Sequence, residues 1–470
     1  MVKDMTKGSI SKNIVSFSIP VMITLLCQSL FTTIDSLTVG RLVDAEALGS
    51  VASCGSIINL FMLLANGFSV GYKIVVGQFF GADRPRHTKQ AIYTSFIIMG
   101  ALSFLITTLG ILLSAPFLKL MDTVPELFNG ANLYLKLYFA GIGMIIFRSG
   151  VNNIYYALGD TRTPMFLQIA QLVLHILMDF LLLGQFHMGI AGLAVAGWIS
   201  RGVTMIPLIW LLFIRIKDFP KPKHYFHKMT FKKICSLALP SCLAHAASAL
   251  QVLLVNRLIN SFGTYVVTGN SIAGSISNFF LLIINAVASA AGAFASQNFG
   301  AKHMRRIKHC GLICFVINII YSIMMYLIIT LFGPDLIHLF MSETTDAALY
   351  ENITNYAQNY MMVYASFIVI YNVGHVYSEI LRSVGKIRVT VIAAFVGVGV
   401  RVIGTYILAY FMGETAIYWG IPLTWFCYYM IPILYFFTGH WLPHYRAVHN
   451  NSELSAHKET IKHQLQTIDT

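Results

Sequence analysis

Apolar residues run along this chain in long unbroken stretches, and the polar ones gather between them. Twelve stretches stand out, at 14–39, 48–72, 91–114, 132–158, 164–184, 189–214, 234–261, 266–294, 308–332, 355–381, 388–411 and 416–437. Each reaches or exceeds the roughly 20 apolar residues that carry a helix across a hydrocarbon layer about 30 Å thick. Pro20, Pro207, Pro240 and Pro422 fall inside them. Membrane helices accommodate such residues because neighbouring helices satisfy the freed backbone groups. The first stretch is too long for a cleavable leader and has no small-residue cleavage site, so it is expected to be the first span. The pattern predicts an all-α integral membrane protein with an amino-terminal segment (1–13), six spans (14–214), a polar linker (215–233), six more spans (234–437) and a tail (438–470).

Composition agrees with burial in lipid. The chain of 470 residues is 57% hydrophobic and 11% charged, and its mean hydropathy is +0.70. Soluble domains carry about 25% charged residues. The net charge of +13 does not indicate a nucleic-acid partner, because the cations lie in short loops between apolar runs and not on one polar face. The seven cysteines lie within or beside apolar stretches and form no CxxC pair; Cys310 and Cys314 would share a helix face but make at most half a structural zinc site.

The loops alternate in charge. The amino-terminal segment, every second loop and the tail together hold 24 of the 32 Lys and Arg, among them Arg84, Arg86 and Lys89, seven cations from Arg215 to Lys233, and Lys302, Arg305, Arg306 and Lys308. Arg446, Lys458 and Lys462 belong to the tail. Between spans 9 and 10 the charges are Asp335, Glu343, Asp346 and Glu351; between spans 1 and 2 Arg41 faces Asp44 and Glu46. Cations favour the cytoplasmic side, so both termini are expected in the cytoplasm and the span count must be even.

The chain also repeats itself. Ser18-Ile19-Pro20 matches Ala238-Leu239-Pro240 at a spacing of 220, the segment Gly77–Asp83 matches Ser296–Lys302 at 219, and Gly159-Asp160-Thr161-Arg162 matches Gly385-Lys386-Ile387-Arg388 at 226. Three matches in order predict two six-helix bundles related by pseudo-symmetry. With six spans each, both enter the bilayer in the same sense, an arrangement that secondary transporters use for alternating access.

Ionisable residues inside spans are costly and therefore candidates for function. Asp35 lies late in span 1; His175 and Asp179 stand four residues apart in span 5, on one helix face. Brought together, such a cluster can take up and release a proton, or its members can satisfy one another and hold helices together. Asn152 and Asn153 in span 4 are candidates to join it. Gln28, Gln171, Tyr156, Arg148, Arg201 and His245 are candidate lining for a substrate cavity. Glu379 and Arg382, three residues apart, suggest a local ion pair, and Arg401 can snorkel or pair. No GxxxxGK[ST], nucleophile elbow or HExxH occurs, so neither ATP hydrolysis nor enzyme chemistry is expected and an ion gradient must drive any transport. The sequons at Asn352 and Asn450–Ser452 carry little weight.

The motif VGQFFGAD with its partner ASQNFGAK, ALGDTRTP after span 4 and FTTIDSLTVG at the end of span 1 resemble the multidrug and toxic compound extrusion (MATE) family, in the branch common in Firmicutes. The likeness covers roughly residues 8–440. It implies a twelve-helix exporter of the multidrug/oligosaccharidyl-lipid/polysaccharide flippase superfamily, residing in the cell membrane; a monomer is expected, although the sequence does not speak to oligomeric state. Two lobes surround a V-shaped cavity, and organic cations or amphipathic drugs are exchanged for H+ or Na+ without a further cofactor. It also implies a cation site at Asp35 and Asp179, with Asn152 or Asn153. His175 departs from the family pattern and favours protons; Ser248 stands where another branch carries a carboxylate, which speaks against a sodium site in the second half. Two alternatives remain. Arg148 and Arg201 suit a flippase or an exporter of a lipid-linked or anionic metabolite, and the His175/Asp179 pair suits a divalent-metal transporter.

Overall fold

A computed structural model of the chain describes residues 3–43, 45–121, 123–341 and 347–442. Asp44, Glu343, Asp346, the tail cations Arg446, Lys458 and Lys462, and the sequon at 450–452 lie outside the described residues. The described chain is helical. Its helices are α1 (Ile10–Leu42), α2 (Ala45–Gly81), α3 (Pro85–Leu120), α4 (Pro125–Ala157), α5 (Arg162–Asp179), α6 (Gly189–Arg215), α7 (Lys228–Ser261), α8 (Thr264–Gly300), α9 (Met304–His338), α10 (Ala347–Ser383), α11 (Ile387–Gly399), α12 (Thr405–Met412) and α13 (Ala416–Phe437). A π-helical turn, Phe180–Gln185, prolongs α5, and another, Val400–Gly404, joins α11 to α12.

Eleven apolar helical stretches are long enough to span a membrane, and the last of them runs 51 residues, Ile387–Phe437. At 1.5 Å per residue that is about 76 Å, more than twice the hydrocarbon thickness. Gly413, with φ at 61°, breaks it, and α13 folds back along α11 and α12. The stretch therefore makes two crossings, and the total among the described residues is twelve. Most helices overrun the apolar stretches by several residues, because a helix continues through the interfacial region after its hydrophobic residues end.

The repeat is visible in the backbone. Gly159 and Gly385, matched in sequence, both adopt left-handed φ (77° and 84°), and the matched Asp83 and Lys302 do the same at 52° and 62°. For Asp83 and Lys302 this conformation is unfavourable without a local constraint. Both stand in the turns that end α2 and α8, where the chain must reverse within four residues.

One apolar cluster fills the amino half and takes in Ile234, Leu237, Ala238 and Cys242 of α7 and Ile387 of α11; another, from Val255 to Ile421, fills the carboxyl half. A third joins them: Met5, Ile14, Phe17 and Val21 of the amino-terminal segment and α1 pack on the Ala286–Ala295 stretch of α8. The halves meet at the end that bears the basic loops, and the two copies of the repeated motif form the contact. Gln78 Nε2 donates to the Ser383 carbonyl at 2.7 Å, and Gln297 Nε2 donates to the Ala157 carbonyl at 2.8 Å. By the repeat spacings Gln78 corresponds to Gln297 and Ser383 to Ala157, so one bond is the pseudo-symmetric image of the other. Gly81 lies against the Gln297 carbonyl and Gly300 against that of Gln78, each too close to admit a Cβ. Among the described residues no hydrogen bond between the helices of the two halves lies farther along α2 from the basic end than Cys242 Sγ to the Leu64 carbonyl.

Candidate cation and substrate site

Asp35, His175 and Asp179 meet inside the amino half. The carboxyl-terminal ends of α1 and α5 run side by side, which sets Asp35 opposite the His175/Asp179 face. His175 Nε2 lies 2.6 Å from Asp35 Oδ1 and 3.3 Å from Asp179 Oδ2. A single Nε2 hydrogen can serve only one of them, and Asp35 is the nearer. Both oxygens of Asp179 are then left without a hydrogen bond, although the side chain is only 1% exposed. His175 is equally buried, whereas Asp35 keeps 20% exposure. Phe31 stacks on the imidazole with centroids 3.7 Å apart, and the Arg201 guanidinium sits 4.5 Å over the Phe31 ring. On the other side, the Ser200 hydroxyl stands 3.5 Å from His175 Nδ1. The π-helical turn begins directly after Asp179. Such turns widen a helix locally and recur at functional sites.

Beside the triad is a cavity of about 440 Å³ whose wall includes Gln28, Phe31, Tyr138, Asn152, Tyr156 and Gln171. Arg148, Arg201 and Asn153 also face it. Arg148 is committed to its surroundings: Nε and Nη2 donate to Gln168 Oε1 at 3.2 and 3.1 Å, and Nη1 donates to Thr204 Oγ1 at 3.0 Å. Asn153 Nδ2 donates to the Ser149 carbonyl of its own helix. Asn152 Oδ1 and Gln171 Oε1 are buried without a partner. Buried acceptors left bare in this way are expensive, and a ligand bearing N–H groups would satisfy them.

The sequence-based candidates therefore converge with two qualifications. Neither asparagine contributes a hydrogen bond to the triad; Asn152 faces the cavity and Asn153 is bonded within α4. His245 does not join the amino-half cavity. It lies on α7 in the carboxyl half, within electrostatic reach of His375, Glu379 and Arg382.

The local Glu379–Arg382 pair forms as expected, at 2.6 Å, but it is only part of a larger arrangement. The other oxygen of Glu379 binds Lys73 Nζ of α2 at 3.2 Å, across the two halves. Gly292 makes room for this pair, because a Cβ there would stand 3.1 Å from Glu379 Oε2. Sequence reasoning passed over Lys73. The available signal was a lone cation in the apolar run VGYKIVVG, between the fully buried Tyr72 and Ile74.

Among the described residues the carboxyl half has no counterpart of the triad. Arg401 stands as far beyond Gly385 as His175 stands beyond Gly159, and Thr405 falls where Asp179 would. Arg401 is buried and donates to the Ile417 carbonyl at 2.9 Å, within the second π-helical turn. The equivalent place is thus held by a permanent cation.

Comparison with known proteins settles the ancestry. The MatE family profile matches residues 20–181 and 240–407. The chain belongs to the MatE family. The two matched segments start 220 and end 226 residues apart, the offsets already seen in the repeat. Among similar proteins, the probable multidrug resistance protein YpnP of Bacillus subtilis is 25% identical over 440 residues, covering 93% of this chain and 97% of that protein. The multidrug export protein MepA of Staphylococcus aureus is 22% identical over 424 residues, covering 88% and 91%. Among solved structures, a multidrug resistance MATE family transporter of the MOP superfamily in an outward-facing conformation superposes with a TM-score of 0.84 at 21% identity, over 92% of this chain and 96% of that one. A MOP superfamily transporter from Pyrococcus furiosus, described as having a binding pocket of reverse polarity, gives the same score and coverage. These place the MatE chain in the fold of that superfamily, as a multi-pass protein of the cell membrane.

Proposed function

We propose that this MatE protein exports organic cations and amphipathic drugs in exchange for protons, with both termini in the cytoplasm and Asp35, His175 and Asp179 as the proton site. The observation that carries the reading is the bare Asp179 carboxylate, 1% exposed and without a hydrogen-bond donor. A carboxylate in such a place must be neutralised by a proton or a nearby cation. Asp35, the more exposed member, takes up the proton from the open end, and the His175 Nε2 hydrogen, no longer held by a charged Asp35, turns to Asp179 Oδ2. Protonation weakens the Asp35–His175 contact that ties α1 to α5, so α1 shifts beside the cavity. Substrate loses its contacts there and leaves outward. Release of the proton to the cytoplasm restores the binding state. A ligand moves such an equilibrium only through its different affinities for the two states. The relatives named for multidrug resistance and export support the substrate class.

The deciding experiment uses purified protein in sodium-free liposomes with an imposed pH gradient and a fluorescent organic cation as cargo. Transport driven by the gradient and lost in Asp35→Asn is the expected result. Transport that ignores pH and requires sodium would replace the coupling ion, and no movement of any cation would remove the substrate assignment.

A second reading is favoured by Arg148 and Arg201 at the cavity wall: export of an anionic or lipid-linked metabolite. Uptake of a fluorescent organic anion in the same liposomes, with the cation inert, would establish it. The divalent-metal reading has less support. Asp35 Oδ1 and His175 Nε2 are 2.6 Å apart, a hydrogen-bond spacing, whereas two ligands of a tetrahedral zinc stand about 3.3 Å apart.

A further inference from the structure

A second hollow, of about 860 Å³, opens at the basic end, where the two motif segments meet. Both halves build it. The amino half supplies Arg84, and the carboxyl half supplies Lys233, Lys302, Arg305 and Lys308. Among the described residues no carboxylate lines it. Phe79 and Phe299 give it an apolar wall, and the Lys233 ammonium lies 5.2 Å over the Phe79 ring. Like charges gathered around one hollow raise each other's energy, and their fields add at its centre. A multiply charged anion relieves that repulsion more effectively than scattered counterions do. The hollow is also tied to the contact between the halves: Lys233 Nζ donates to Gln78 Oε1 at 2.8 Å, and the same Gln78 donates to the Ser383 carbonyl.

We propose that this hollow binds a phosphate-bearing anion, its charge held by Arg84, Lys233, Lys302, Arg305 and Lys308 and its apolar portion by Phe79 and Phe299. Because the cations come from both halves, the ligand binds the arrangement in which the basic end is closed and stabilises it. Basic hollows between helices at the cytoplasmic surface take up anionic lipid head groups, and a soluble phosphate compound offers the same chemistry. The cytoplasmic placement rests on the orientation proposed above; the binding itself does not depend on the coupling ion or on the exported substrate.

The test follows the thermal unfolding midpoint of the full chain in nanodiscs of phosphatidylcholine, of phosphatidylcholine with phosphatidylglycerol, and of phosphatidylcholine with added inorganic pyrophosphate. The midpoint is expected to rise by about 3 °C or more in at least one anionic arm, as ligand well above its Kd stabilises the folded state. A rise with lipid only assigns the site to the head group, and a rise with pyrophosphate assigns it to a soluble anion. The variant K302Q/R305Q/K308Q should lose the rise. K221Q/K223Q/K228Q, with the same loss of three charges outside the hollow, should keep it. No rise in either arm, or an equal response of both variants, overturns the proposal. Because unfolding needs no transport, the result is independent of whether the proton-exchange experiment succeeds.

Discussion

Lys73 of α2 and Glu379 of α10 form an ion pair that crosses between the two halves, 3.2 Å from Nζ to Oε2, with the side chains 6% and 9% exposed. Arg382 holds the second carboxylate oxygen at 2.6 Å. One buried carboxylate thus balances two cations at the place where the halves close. The pair can exist only while α2 and α10 are together.

Glu379→Gln should therefore loosen the basic end. Removing one partner of a buried pair costs about 3–5 kcal/mol, mostly through the charge left behind. The variant can avoid that cost by letting the halves part. Cysteines placed on the loops after α2 and α8 should cross-link less in Glu379→Gln than in the parent, and adding Lys73→Met to Glu379→Gln, which leaves the new amide oxygen to Arg382, should recover part of the yield. Unchanged cross-linking in Glu379→Gln would show that the pair does not hold the closed state.

Gly81 and Gly300 should tolerate no side chain in that state. A Cβ at either would press on a backbone carbonyl of the other half, and backbone gives way less readily than a flexible side chain. Overpacking of this kind costs about 1–3 kcal/mol, which shifts the closed population by roughly 5- to 150-fold. Gly81→Leu and Gly300→Leu are each expected to insert and fold but to lose transport in the liposome assay. Full activity in both would mean that the halves do not approach as closely during the cycle.

Arg148→Met should act chiefly on stability. Its three donors serve Gln168 and Thr204, and a buried acceptor left alone costs about 1–3 kcal/mol. A drop of about 2–4 °C in the unfolding midpoint is expected, with the KM for an organic cation little changed. A large rise in KM at unchanged midpoint would make Arg148 a substrate contact.

Arg201 has a different expectation. It faces the cavity and touches Phe31, which in turn covers His175. Arg201→Gln removes a repulsive charge from the path of a cationic substrate. It should lower the KM for a doubly charged cation more than for a singly charged one. Equal effects on the two would place the Arg201 charge outside the substrate path.

Much of this could be read from the sequence because lipid imposes length and polarity on each helix separately. The twelve stretches, their even count and the repeat all depend on local pattern. His175 and Asp179 were legible for the same reason, since four residues define one face, and Asp35 stood out as a charge in an apolar run. Lys73 and Glu379 were not paired, because they lie 306 residues apart and Glu379 already had a neighbour to satisfy it at Arg382. The commitment of Arg148 to Gln168 and Thr204, and the displacement of His245 from the cavity, depend on how helices rotate against one another. Helix rotation leaves little trace in hydropathy when polar residues are few.

The crossed glutamine contacts have the form of an isologous interface. Residue 78 of one half meets the end of span 10, and its counterpart in the other half meets the end of span 4, as in a two-fold homodimer. A pair of unfused, identical halves could make that contact twice. The Lys73–Glu379 bridge is of another kind, since the repeat places Gly292 and Asn153 at its mirror positions. It requires two different partners, and only once the two halves had separate sequences could each change without the other.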